Sequence, residues 1–167
     1  MALSCKPKII SADEPTTALD VTIQAQILNL IKQLQREENM SIIYITHDMG
    51  VVAENVDRVY VMYLGRVVET TTTDQLFSNP LHPYTQKLLR SIPRPGHRVD
   101  RLEVIAGSVP SAMDPPVQCP FFSRCPSAMP GKCDKAVPAL LENVRGHFVR
   151  CFLYSDKTEQ EDEWTRI

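Results

Sequence analysis

Two adjacent carboxylates, Asp13 and Glu14, end the short apolar run Ile9-Ile-Ser-Ala12. Paired in this way, acidic side chains can divide the work of phosphoanhydride hydrolysis. One holds Mg²⁺, usually through water, and its neighbour polarises the water that attacks phosphorus. A buried strand would bring the pair to the carboxyl edge of a sheet, where open α/β folds bind their ligands. The plainer reading of the same residues is a strand ending in a solvated Asp-Glu turn. A second apolar run, Ser41-Ile-Ile-Tyr-Ile-Thr46, ends in His47 and Asp48.

The elements that must position these residues follow from periodicity. Ile9–Ala12 reads as a strand. Val21–Arg36 carries Ile23, Ile27, Leu30, Ile31 and Leu34 at helical spacing, with Asp20 placed to cap it. Ser41–Thr46 is β-branched and aromatic, a second strand, followed by a short helix at Met49–Glu54. Strand, helix and strand in succession predict a parallel sheet with a crossover. Arg58–Met62 and Arg66–Glu69 form a predicted hairpin turning near Leu64-Gly65, and Asp74–Ser78 and Tyr84–Ser91 are short helices around Asn79-Pro-Leu-His-Pro83. The expected fold class is α/β.

Asp13-Glu14, Ala18-Leu-Asp20 and Ile45-Thr-His47-Asp48 together resemble the ATPase subunits of ABC transporters. In that resemblance Asp13 and Glu14 match the Walker B pair, Ala18-Leu19-Asp20 the D-loop and His47 the switch histidine. The longer string Ala12 to Thr22 is similar to oligopeptide and dipeptide importers in particular, from which it departs at Ser11, where an aliphatic residue is usual. The resemblance implies that Asp13 helps hold Mg²⁺, Glu14 activates the attacking water and His47 contacts the γ-phosphate of ATP. Asp20 would face an opposing subunit in a nucleotide-sandwich dimer. The implied partners are a second ATPase subunit, two membrane permease subunits and, through them, an external peptide-binding protein.

The sequence contains no Gly-x-x-x-x-Gly-Lys-Ser/Thr phosphate loop, and the Gly131-Lys132 pair is followed by Cys133. Nor does it contain two adjacent glycines, so the Leu-Ser-Gly-Gly-Gln signature of the resembled family is not in it. The expectation is a C-terminal part of such an ATPase: a partial P-loop NTPase core with a parallel sheet, catalytically incompetent alone.

Composition shifts after residue 92. Seven prolines fall between residues 107 and 138, with too little apolar periodicity to build a core unaided. Cys119, Cys125, Cys133 and Cys151 lie in or just beyond this stretch, separated by five, seven and seventeen residues. Thiolates suit zinc and iron-sulfur clusters alike, and unliganded thiols are the third reading. These cysteines and Gly146-His-Phe-Val-Arg-Cys151 resemble the C-terminal extension of the peptide-importer ATPases, which implies a four-iron four-sulfur cluster; zinc is the alternative. Cys5 is expected to be a small packed residue, His82 and His97 solvated loop residues, and His147 a surface residue near Cys151.

The expected organisation is residues 1–92 as part of a nucleotide-binding domain, 93–154 as a loop-rich, cysteine-containing extension, and 155–167 as an acidic tail. A net charge of −2 and a pI near 6.1 give no electrostatic case for nucleic acid. Without an apolar run of about 18 residues or a signal segment, the chain is expected in the cytoplasm, held at the inner face of the membrane by permeases. A reading of another class is a non-catalytic metal-binding or interaction module.

Overall fold

The computed structural model describes residues 5–17, 19–92, 105, 107–111 and 116–155. The linker with His97, the acidic tail with Trp164, and Ala18 lie outside the described residues. The chain divides into two compact units, Met1–Val56 and Asp57–Ile167. The compositional shift at residue 92 falls inside the second.

In the first unit, β1 (Ile9–Asp13) pairs in parallel with β2 (Ser41–Ile45), in register from Ile9 opposite Ser41 to Asp13 opposite Ile45. Between them runs α1 (Val21–Glu38), which starts where the Asp20 carboxylate accepts the amides of Thr22 and Ile23, both at 3.0 Å. It ends at Asn39, whose left-handed φ of 49° lets its amide return to the Gln35 carbonyl. The short α2 (Met49–Asn55) follows β2 and is capped by Asp48. Leu28, rather than Ile23 or Leu30, is the buried residue of α1; Ile23 and Leu30 are exposed. The inward stripe therefore runs through Gln24, Ile27, Leu28, Ile31 and Leu34, keeping Ile27, Ile31 and Leu34 of the expected face and replacing Ile23 and Leu30 with Gln24 and Leu28. Both strands alternate: Ile10, Ala12, Ile42 and Tyr44 are half-buried, while Ile9, Ile43 and Ile45 stand more than half exposed, at 60, 55 and 51%.

The second unit is built on an antiparallel sheet of order β3-β4-β6-β5. The hairpin of β3 (Arg58–Tyr63) and β4 (Arg66–Thr72) turns through Leu64 and Gly65, both at positive φ, as such a turn requires. Two short helices follow, α3 (Thr73–Ser78) and α4 (Pro83–Arg90). The later hairpin of β5 (Leu141–Val144) and β6 (His147–Val149) adds to β4, pairing Glu69 with Val149 and Thr70 with Phe148. Among the described residues the parallel pairing is thus confined to β1 and β2, and the extension expected over 93–154 gives β5 and β6 to the sheet of the β3–β4 hairpin. Val61, Tyr63, Val68, Leu76, Phe121 and Val149 form the heart of this unit's core.

Candidate functional site

β1 and β2 end side by side, so Asp13 and Glu14 leave one strand where Thr46 and His47 leave the other. The Glu14 amide donates to the Ile45 carbonyl at 2.8 Å, extending the ladder by one bond beyond the strands. That bond holds Glu14 at φ +44°, a left-handed conformation uncommon for a residue with a Cβ. Its side chain then meets the imidazole across the strand gap, with Glu14 Oε1 2.8 Å from His47 Nδ1. The Thr17 hydroxyl donates to the other oxygen, Oε2, at 2.7 Å. The Thr17 bond and then the His47 bond lower the carboxyl's pKa below its usual range, so at neutral pH it is an ionised acceptor. Each of its oxygens keeps a further lone pair, enough for a water.

Asp13 is exposed beside this pair. Asp48, next to His47, accepts the Gly50 and Val51 amides on Oδ1, at 2.8 and 3.3 Å, and the Gln24 side-chain amide on Oδ2 at 3.0 Å. Of the residues singled out from the sequence, the structure brings Glu14 and His47 together, and it adds three hydrogen-bonding neighbours not singled out there as site residues, Thr17, Gln24 and Asp48. The three-residue offset from Glu14 to Thr17 was the available signal, because it brings a hydroxyl back over a tight turn.

In the second unit the expectations for histidines are overturned. His82 and His147 are only 2% and 1% exposed, neither solvated nor on the surface. Both gather around Glu69, a fully buried carboxylate. Its Oε1 accepts the Leu81 amide at 2.7 Å and lies 2.7 Å from His147 Nε2, and its Oε2 accepts the His82 amide at 2.9 Å. Burial opposes the Glu69 charge, but these partners and Thr85 hold its pKa below the ordinary value. His82 Nδ1 accepts the Tyr84 amide at 3.0 Å and so caps α4. Burial lowers the pKa of this imidazole to about 4, against the opposing pull of the Glu69 charge.

Cys133 is buried and Cys119, Cys125 and Cys151 half-buried. Cys5, ahead of β1, is exposed, contrary to the expectation of a packed residue, since none of the described residues covers it. The Cys119 amide donates to the Cys133 carbonyl at 3.0 Å, which joins two of the thiol-bearing turns. Burial raises the pKa values of the Cys119, Cys125 and Cys151 thiols, that of Cys151 to about 11. The thiol of Cys151 also feels Cys125, Cys119 and Cys133, so all four share one neighbourhood. Backbone amides face three of the sulfurs: Phe121 and Phe122 that of Cys119, Ser127 that of Cys125, and Leu153 that of Cys151. Among the described residues, no three Cys, His, Asp or Glu side chains form a group that could hold a metal ion as they stand.

Residues 68–133 match the family model of the oligopeptide/dipeptide transporter C-terminal region. The oligopeptide transport ATP-binding protein AppD of Bacillus subtilis (strain 168) is 55% identical over 161 residues, covering 96% of this chain and 49% of AppD. The dipeptide transport ATP-binding protein DppD of the same organism is 49% identical over 159 residues, covering 95% of this chain and 47% of DppD. Among solved structures, cbiO1 from Clostridium perfringens, part of the ABC transporter complex cbiONQ, aligns with a TM-score of 0.41 and 35% identity. That alignment covers 44% of this chain and 30% of that one. Over nearly all of its length the chain is similar in sequence to ATP-binding proteins of oligopeptide and dipeptide transport, and it spans about half the length of the curated relatives it matches.

Proposed function

We propose that the chain carries the hydrolytic and switch residues of an ATPase that powers peptide import. The observation that carries this reading is the 2.8 Å contact between Glu14 and His47, made by two strand ends in register. Glu14, ionised and held on both oxygens, orients and polarises the water that attacks the γ-phosphate. His47 uses Nδ1 toward Glu14, which leaves Nε2 for a phosphate oxygen; once the ring is protonated, Nε2–H donates there. Exposed Asp13 takes the Mg²⁺ ligand role, usually through water, and the ion neutralises charge developing on the phosphate oxygens. Asp20 caps α1 and also faces the opposing subunit of a nucleotide-sandwich dimer. The phosphate loop and signature must come from sequence not present in these 167 residues. The partners are a second ATP-binding subunit, two permease subunits and an external peptide-binding protein. Among the described residues no helix is long and apolar enough to cross a membrane. The peptide-import reading itself implies that membrane association runs through the permeases.

A specific observation favours a second activity. The four cysteines of one neighbourhood, three with amides at their sulfurs, are proposed to anchor an iron-sulfur cluster, with zinc as the alternative. Bound thiolates would replace neutral thiols, so loading releases protons. In the non-catalytic reading this module alone is the chain's activity.

The test is ATP hydrolysis by the purified chain, alone and mixed with a phosphate-loop-bearing segment of a relative. Iron and zinc are measured on the same sample. Hydrolysis should require the added segment and fall by about 10²- to 10⁴-fold in Glu14→Gln. Hydrolysis indifferent to Glu14→Gln would contradict the catalytic assignment. Iron and zinc both absent from anaerobically prepared protein would contradict the metal module.

A further inference from the structure

Gln24 lies in the first turns of α1, away from the carboxylate and imidazole that do the proposed chemistry, and its side chain crosses to the segment that presents His47. Its amide donates to Asp48 Oδ2 at 3.0 Å in a half-buried position. Asp48 divides its oxygens. Oδ1 caps α2 through Gly50 and Val51, and Oδ2 is given to Gln24. A further bond, from the Asp48 amide to the Thr46 hydroxyl at 3.0 Å, shapes the turn on either side of His47.

These contacts close a ring. Thr17 holds Glu14, Glu14 meets His47, and His47 is bonded through the chain to Asp48. Asp48 holds the Gln24 side chain, and the Gln24 backbone amide donates to the Asp20 carbonyl at 2.9 Å in the first turn of α1. Asp20 is three residues beyond Thr17. We infer that Gln24 is a positioning residue that ties the start of α1 at Asp20 to the His47 turn, so that displacement of this helix end reaches the imidazole through Asp48. The inference rests on the hydrolytic reading of Glu14 and His47 and deepens it. In that reading Asp20 faces the opposing subunit, and the tie gives a displacement of Asp20 a mechanical route to the γ-phosphate contact.

The exposure of His47, whose side chain is 83% accessible, makes the tie consequential. A ring so open to solvent has little packing to fix its rotamer, and hydrogen bonds to its neighbours must do so instead.

The test measures His47 χ1 populations by three-bond couplings in the isotope-labelled full chain, with amide exchange at Gly50 as a control for the α2 cap. Wild type should hold one dominant rotamer. Gln24→Leu removes the donor while keeping the bulk, and should spread the populations toward about one third each. Asp48→Asn should behave as wild type, since the Gln24 amide can turn to satisfy the new donor. Gly50 protection should stay unchanged throughout, because the cap uses the other Asp48 oxygen. A single rotamer surviving in Gln24→Leu would overturn the proposal, as would averaging already present in wild type. Loss of Gly50 protection together with rotamer order would also overturn it, by reducing Gln24 to a pin for α2. An ordered His47 in a hydrolytically dead complex would instead fault the catalytic reading and leave the tie standing.

Discussion

The two units solve the same problem in opposite ways. The first places its polar residues in the open, at the ends of a two-stranded parallel sheet with Ile9, Ile43 and Ile45 uncovered. The second encloses its charge. Glu69 is fully buried, held by the Leu81 and His82 amides and by His147, and the His82 ring packs 5.9 Å from Phe121, itself 5.3 Å from Tyr63 and 5.5 Å from Tyr84. Buried polar networks over-determine one arrangement, whereas open ones leave their members free to meet a ligand. The difference teaches that the proposed chemistry sits on the less covered part of the chain, and that the second unit supplies its own order.

Glu69→Ala should break this contrast most severely. It strands the Leu81 and His82 amides and His147 Nε2 in the buried interior, a loss of about 3–5 kcal/mol for a buried pair deprived of one partner. Chemical denaturation followed by exchange at Val68 and Val149 should show that loss, while the first unit's amides keep their wild-type behaviour.

A smaller effect separates the units by pH. The His82 imidazole is neutral when folded down to about 4, whereas an unfolded histidine takes up its proton near 6.5. Between those values the unfolded chain binds more protons, so stability falls as pH falls through this window, by up to about 3 kcal/mol. Thermal melts of wild type and His82→Asn at pH 7 and pH 4.5 check the sign. The variant keeps a cap for α4 and should lose less stability on acidification. The low-lying pKa of Glu69 works in the same direction at still lower pH, as its carboxylate is protonated below the ordinary range.

The smallest effect sharpens the first unit alone. Asp20→Ala leaves the Thr22 and Ile23 amides unmet, at a cost of about 0.5–2 kcal/mol. Circular dichroism should register fraying of α1, and Asp20→Asn should restore it.

What could be read in advance follows the same division. The β1-α1-β2 succession, the Asp20 cap, the Leu64-Gly65 turn and the nearness of Glu14 to His47 all depend on local periodicity or on motifs at strand ends. The β5–β6 hairpin was not visible, because Leu141–Val144 and His147–Val149 are short and gain their order by pairing with β4, some 78 residues from Glu69 to His147 along the chain. The same distance concealed the burial of His82 and His147: a histidine between prolines reads as solvated until a distant carboxylate is folded against it. In α1 the apolar pattern admitted two adjacent faces, and the Gln24–Asp48 bond belongs to the inward face the structure selects.

Native-state hydrogen exchange on the full chain tests the contrast most directly. The account predicts strong protection at Val68, Thr70 and Val149 in the β3–β6 sheet, and much weaker protection at Ile10, Ile42 and Tyr44 in the β1–β2 pair. It also predicts that adding a relative's phosphate-loop-bearing segment raises protection in β1 and β2 alone. Equal protection in both sheets without any addition would contradict it, because the unit carrying Glu14 and His47 would then already be complete.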